Sequence, residues 1–168
     1  MRVKFIYNKK RIRKELNFIK SRTEFLKNKG MFYYFPFSAD LLNFKKQLEI
    51  DEKKFNIEKK TKFLVNNWIK KEKEFFEKLK EHQKKCQKLE IQDFYICYIT
   101  MYGCYGYYRY PNEIIINIAH QNLEFNLETV IHEIVHLSLY KKEKAEESSE
   151  IEKKVDLITK NCLEALKN

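Results

Sequence analysis

Glycine and proline are nearly missing from this 168-residue chain, which holds 3 of the first and 2 of the second. That scarcity argues against a loop-rich β-sandwich and against a disordered linker protein. Long apolar runs are missing too: no stretch reaches the roughly 18 consecutive apolar residues of a membrane span, so no membrane partner is expected. The N-terminal "MRVKFIYNKKRIRKEL" is basic but lacks the apolar core of a secretory signal. Cys86, Cys97, Cys104 and Cys162 include no CxxC pair, and read as reduced thiols of a cytoplasmic protein.

What is present is a hydrophobic content of 43%, with 15% aromatics, enough to pack one core from a chain of this length. The net charge of +10 is uneven. Residues 1–90 hold 26 Lys+Arg against 12 Asp+Glu, a balance of +14, and residues 91–168 hold 8 against 12, a balance of −4. A basic half can follow nucleic-acid phosphates, and residues 9–14, "KKRIRK", are its densest patch. Lysines interleaved with glutamates more simply describe solvated helix faces. With no helix-turn-helix turn, zinc finger or RNP-like motif, only weak nucleic-acid contact through 9–14 is expected.

Periodicity divides the chain in two. "MRVKFIYN" alternates Val3, Phe5 and Tyr7 as a short strand, and Ile12, Leu16, Ile19 and Leu26 then mark a helix stopped by Gly30. After a connection broken by Pro36, Ser38 is a candidate cap for a short helix, Asp51 for the next, and a long helix is predicted over 59–88. From Gln92 the texture changes. "DFYICYIT" predicts a strand, "MYGCYGYYRYPN" a loop, "EIIINI" (113–118) a second strand, and Asn126 the cap of a following helix. Ile151, Val155, Ile158, Cys162 and Leu166 mark the last helix.

The chemistry lies in "NLETVIHEIVHLSLY", 126–140. Val130, Ile131, Ile134, Val135, Leu137 and Leu139 make this helix apolar around most of its circumference, so burial is expected. Thr129, His132, Glu133, His136 and Tyr140 fall on one polar stripe. Histidines four apart share a helix face and can reach one zinc ion, while the intervening Glu can act as general base on a water that the metal acidifies. Burying two histidines and a carboxylate without such a purpose is costly.

A third protein ligand is needed, and no histidine follows His136. Glu143, Glu146, Glu147, Glu150, Glu152 and Asp156 remain downstream, with His82 and His120 as upstream alternatives. Helical periodicity leaves Glu147 and Glu152 equally open. Tyr107, Tyr108, Arg109 and Tyr140 are candidates to stabilise an oxyanion, although tyrosines in such numbers more often pack a sheet face.

A helix with "HEIVH" followed by a second helix with "EIEKKVD" resembles the gluzincin metallopeptidases, and most of all their small cytosolic ImmA/IrrE-like branch, over about residues 92–168. The resemblance implies Zn2+ held by His132, His136 and Glu152, with Asp156 as a partner of a ligating histidine and Glu133 as general base. Val155 and Asp156 stand where the branch has a small-polar pair. It also implies an edge strand pairing with extended substrate, a place "EIIINI" occupies. The expectation is therefore one α+β, zincin-like catalytic domain over 1–168. Its basic, mainly helical half (residues 1–90) would pack on a core, residues 91–168, of a small antiparallel sheet and the HExxH helix. Its substrate would be a protein or peptide. The alternative is a basic nucleic-acid-associated or interaction protein with an inactive zincin-like core.

Overall fold

A computed structural model describes residues 1–28, 30, 33–35, 43–85, 89–119, 122–143 and 148–166. Among them the chain forms an α+β fold of four strands and five helices: β1 (Arg2–Tyr7), α1 (Lys9–Asn28), α2 (Phe44–Lys54), α3 (Ile57–Lys85), β2 (Phe94–Thr100), β3 (Gly106–Arg109), β4 (Glu113–Asn117), α4 (Leu123–Glu143) and α5 (Ser148–Ala165). No described helix is long and apolar enough to cross a membrane.

Helices begin where a side chain can accept from their first amides. Asn8 Oδ1 accepts from the N–H groups of Lys10 and Arg11 at 2.9 and 3.1 Å, opening α1. Asn122 does the same for α4, accepting from the Phe125 N–H at 2.7 Å. Asn126, expected as that cap, is instead a fully buried residue near the start of the helix. Asp51 is likewise no cap. It is buried inside α2, where it accepts from the Tyr102 hydroxyl at 2.9 Å and from Gln47 Nε2 at 3.0 Å. The break between α2 and α3 falls at Asn56, in the left-handed region at φ 52°. Ser38, Pro36 and Cys86 lie outside the described residues.

The expected antiparallel sheet is corrected to a mixed one. Its order is β1-β2-β4-β3, with β1, β2 and β4 parallel and β3 antiparallel to β4. Long connections permit the parallel pairs: α1, α2 and α3 lie between β1 and β2, while residues 101–112 return the chain from β2 to β4. Parallel strands are normally covered on both faces, and here Tyr95, Cys97, Ile99, Ile114, Ile115 and Ile116 are all buried. A second correction follows. "EIIINI" is not at the edge, because β4 pairs with β2 on one side and β3 on the other. The edge next to α4 is β3, inside the segment that reads as a loop.

Helix α1 covers one face of the sheet, with Arg11 over the Tyr98 ring and Phe18 stacked on Tyr107. The other face meets α3, where Phe76 stacks on Tyr95, and α4, where His136 stacks on Tyr108. Helix α5 packs across α3 and α4. Trp68 of α3 fills the space between Phe5 of β1 and Phe75, with ring centroids 6.0 and 5.5 Å away. Gly103 allows α1 to approach: its φ is 96°, and a Cβ there would lie 2.8 Å from Ile19 Cδ1.

Candidate metal centre

Helix α4 is buried nearly all round, as its composition requires. Val130, Ile131, Ile134 and Val135 have no exposed surface, and Leu137 and Leu139 have almost none. Its polar stripe opens into a cleft of about 740 Å³ between α4, β3 with its preceding loop, and the start of α5. One helical turn separates His132 from His136, and their Nε2 atoms lie 3.0 Å apart. Burial, and then the neighbouring His136, lower the His132 pKa to about 4 against the opposing pull of Asp156. A neutral imidazole, the ligating form, is thereby favoured.

The first turns of α5 bring a carboxylate to this pair. Glu152 Oε1 lies 3.5 Å from His136 Nε2, and Glu152 Oε2 lies 3.8 Å from His132 Nε2. Together the donor atoms of His132, His136 and Glu152 fall within 4.8 Å of one another. Zinc bonds of about 2.0–2.1 Å at tetrahedral angles place neighbouring ligand atoms about 3.3 Å apart, so this donor set suits the ion in both type and spacing. Asp156, one turn further along α5, has Oδ1 3.7 Å from His132 Nδ1. That is the ring nitrogen turned away from the cluster, where an outer carboxylate orients a ligating histidine.

Glu133 is buried and lines the same cleft. It fits because the strand beside it carries no side chain at that point. A Cβ on Gly106 would lie 2.9 Å from Glu133 Oε1 and 2.5 Å from Thr129 Cγ2, both closer than real Cβ contacts come. Two thiols also neighbour this carboxylate. Burial, reinforced by Glu133, raises the Cys97 pKa far above its usual value and that of Cys104 to about 11. Both remain neutral thiols near neutral pH, rather than thiolates competing for a metal.

The tyrosines divide by strand alternation. Tyr107 and Arg109 point to the α1 face, where the Tyr107 hydroxyl donates to Glu15 and both Arg109 terminal nitrogens bond the same carboxylate at 2.8 and 2.9 Å. Tyr107, expected as an oxyanion donor, thus has its hydroxyl committed elsewhere, although the residue borders the cleft. Tyr108 lines the cleft and stacks on His136, with ring centroids 5.2 Å apart. Tyr140 packs between Tyr108 and Tyr110, at centroid distances of 6.3 and 4.3 Å.

Of the alternative ligands, Glu147 and His120 lie outside the described residues. His82 lies at the end of α3 beside Asn161 and Glu164, at the other end of α5 from Glu152. Four cleft or supporting residues were not expected from sequence: Gly106, Glu15, Phe125 and Glu128. The last two had a signal, since they precede His132 by seven and four residues and so extend its helix face. Compared with known proteins, the chain matches no family model, no curated protein and no solved structure.

Proposed function

We propose that this chain is a zinc-dependent peptidase that hydrolyses peptide bonds in a protein or extended peptide. One observation carries the reading: donor atoms of His132, His136 and Glu152 gather within 4.8 Å, and Glu133 of the same helix borders the same cleft. Bound zinc would polarise the scissile carbonyl and acidify a water molecule. Glu133 takes a proton from the attacking water as general base and returns it to the departing amine. Its burial over Gly106, with its carboxylate bordering the cleft, supports that role. Tyr108 is the tyrosine assigned to the developing oxyanion, because it borders the cleft and touches a ligating histidine. Extended substrate would add to the edge strand β3, taking main-chain hydrogen bonds at the mouth of the cleft.

The resemblance to gluzincin peptidases of the ImmA/IrrE-like kind supports this reading through residues 132–156. Free Cys97, Cys104 and Cys162 support a cytoplasmic setting. The nucleic-acid alternative keeps Lys10, Arg13 and Lys14 of residues 9–14, which are exposed. Lys9 pairs with Glu52 at 3.0 Å, and Arg11 turns inward to Glu15 and Glu113 at 2.8 and 2.7 Å.

Elemental analysis tests the metal directly. One zinc per chain is expected in the wild type and in Glu133→Gln, with the metal lost in His132→Ala, His136→Ala and Glu152→Ala. Cleavage is measured by mass spectrometry on a panel of unstructured proteins, and should occur with the wild type but not with Glu133→Gln. A folded, metal-free wild type that ignores chelator rejects the proposal. Stoichiometric zinc without cleavage of any panel member favours the inactive alternative.

A further inference from the structure

The cleft continues beyond the histidines. Two turns toward the start of α4 it is bordered by Tyr105, Phe125, Glu128 and Thr129. Tyr105 and Phe125 are each 40% exposed, and their rings meet edge to face at 5.3 Å. An exposed aromatic pair lining a concave wall is a surface suited to the stem of a long side chain. Glu128 stands one turn before His132, about 6 Å along the helix axis. It is exposed and has no ion-pair or hydrogen-bond partner among the described residues. The chain holds 34 Lys+Arg, yet no cation pairs with this cleft carboxylate among the described residues.

We infer that this end of the cleft is a substrate subsite for a basic side chain, arginine above lysine, flanking the bond to be cut. The inference rests on the peptidase reading for where the bond lies. The Tyr105–Phe125 wall takes the aliphatic stem and stacks with the planar guanidinium, while Glu128 accepts its N–H groups. An acidic side chain in the same place would face Glu128 with repulsion instead. The charge balance agrees, since residues 91–168, which supply the cleft, carry −4 while the chain as a whole carries +10.

The test uses full-length Glu133→Gln protein loaded with zinc and fluorescently labelled nonapeptides of one Ala/Ser framework with Arg, Leu or Asp at the centre. Fluorescence anisotropy should show the Arg peptide binding about tenfold more tightly than the Asp peptide, the combined effect of one exposed ion pair and one cation–π contact. Adding Glu128→Lys should reverse that order, and adding Phe125→Ala should weaken the Arg peptide while the protein stays folded by circular dichroism. Equal affinities, an order unmoved by Glu128→Lys, or no binding of any peptide would overturn the subsite. Wild-type protein then separates the two ideas. Binding in the expected order without cleavage retains the subsite and rejects the peptidase. Cleavage indifferent to Arg, Leu and Asp does the reverse.

Discussion

Glu15 and Glu133 are both buried carboxylates, 2% and 7% exposed, and they lie against opposite faces of the same short strand. Glu15 is surrounded by groups that stabilise its charge: Tyr107, the two terminal nitrogens of Arg109, and Arg11 Nε at 2.8 Å. Glu133 instead lies over a glycine, near two neutral thiols and beside the histidine pair. A carboxylate enclosed by guanidinium groups holds structure together. One at the wall of an open cleft can meet what enters it. Burial alone therefore does not identify a catalytic acid or base; its partners do.

The sharpest way to break this comparison is to neutralise each carboxylate. Glu133→Gln should lower peptide cleavage by about 10²–10⁴-fold, the usual worth of a positioned general base. Its zinc content and unfolding temperature should match the wild type. Glu15→Gln should act in the opposite sense, with a loss of about 1.5–3 kcal/mol in urea denaturation, because half-buried Arg109 loses its counter-charge and Arg11 keeps only Glu113. The folded fraction should still bind zinc. If Glu15→Gln instead left stability intact and removed activity, the assignment of the two carboxylates would be reversed.

This division was only half legible in the sequence. Glu133 stood out because its neighbours spell a motif whose chemistry depends on helical spacing, on a helix whose apolar pattern predicts burial. The α-helices α1, α3 and α5 were legible for the same reason, as stripes at three- and four-residue steps. Glu15 gave no such sign: among the Arg and Lys residues of α1 it reads as one more solvated charge, and only the tertiary approach of β3 buries it. Strand β3 itself was hidden by Gly103, Gly106 and Pro111, which mark a turn in any local reading. The parallel pairing of β1 with β2 depends on contacts across some ninety residues, and no local pattern encodes them. Tyr107 and Tyr108 show the limit most plainly. Alternation says that neighbours on a strand face opposite ways, but not which of them faces the histidines.

Gly106 sits at the boundary between the two carboxylate environments, and substituting it tests whether the strand sets the position of Glu133. Gly106→Ala places a methyl group 2.5 Å from Thr129 Cγ2 and 2.9 Å from Glu133 Oε1. Overpacking of this kind costs about 1–3 kcal/mol, measurable as a lower denaturant midpoint, and activity should fall with it. The double variant Gly106→Ala/Thr129→Ser removes the methyl that meets the new one. It should recover stability but not activity, since the contact with Glu133 persists. Full recovery of both would mean that the glycine serves helix packing alone.

The smallest effects should come from removing one hydroxyl on either side of β3. Tyr107→Phe takes away a single hydrogen bond to Glu15, whose charge still faces Arg11 and Arg109. A loss of about 1.5 kcal/mol is expected, the lower end for a bond to a charged acceptor. Activity should be preserved, since the hydroxyl removed faces α1. Tyr108→Phe keeps the ring that stacks on His136, so stability and zinc content should hold while kcat falls by roughly tenfold or more if the hydroxyl meets an oxyanion. Two adjacent residues, altered by one atom each, would then separate stability from turnover. If Tyr107→Phe lowered kcat and Tyr108→Phe did not, the oxyanion donor would have to be sought on the α1 side of the strand. Glu15 would then be acting on the reaction through Tyr107, rather than only holding the sheet to its helix.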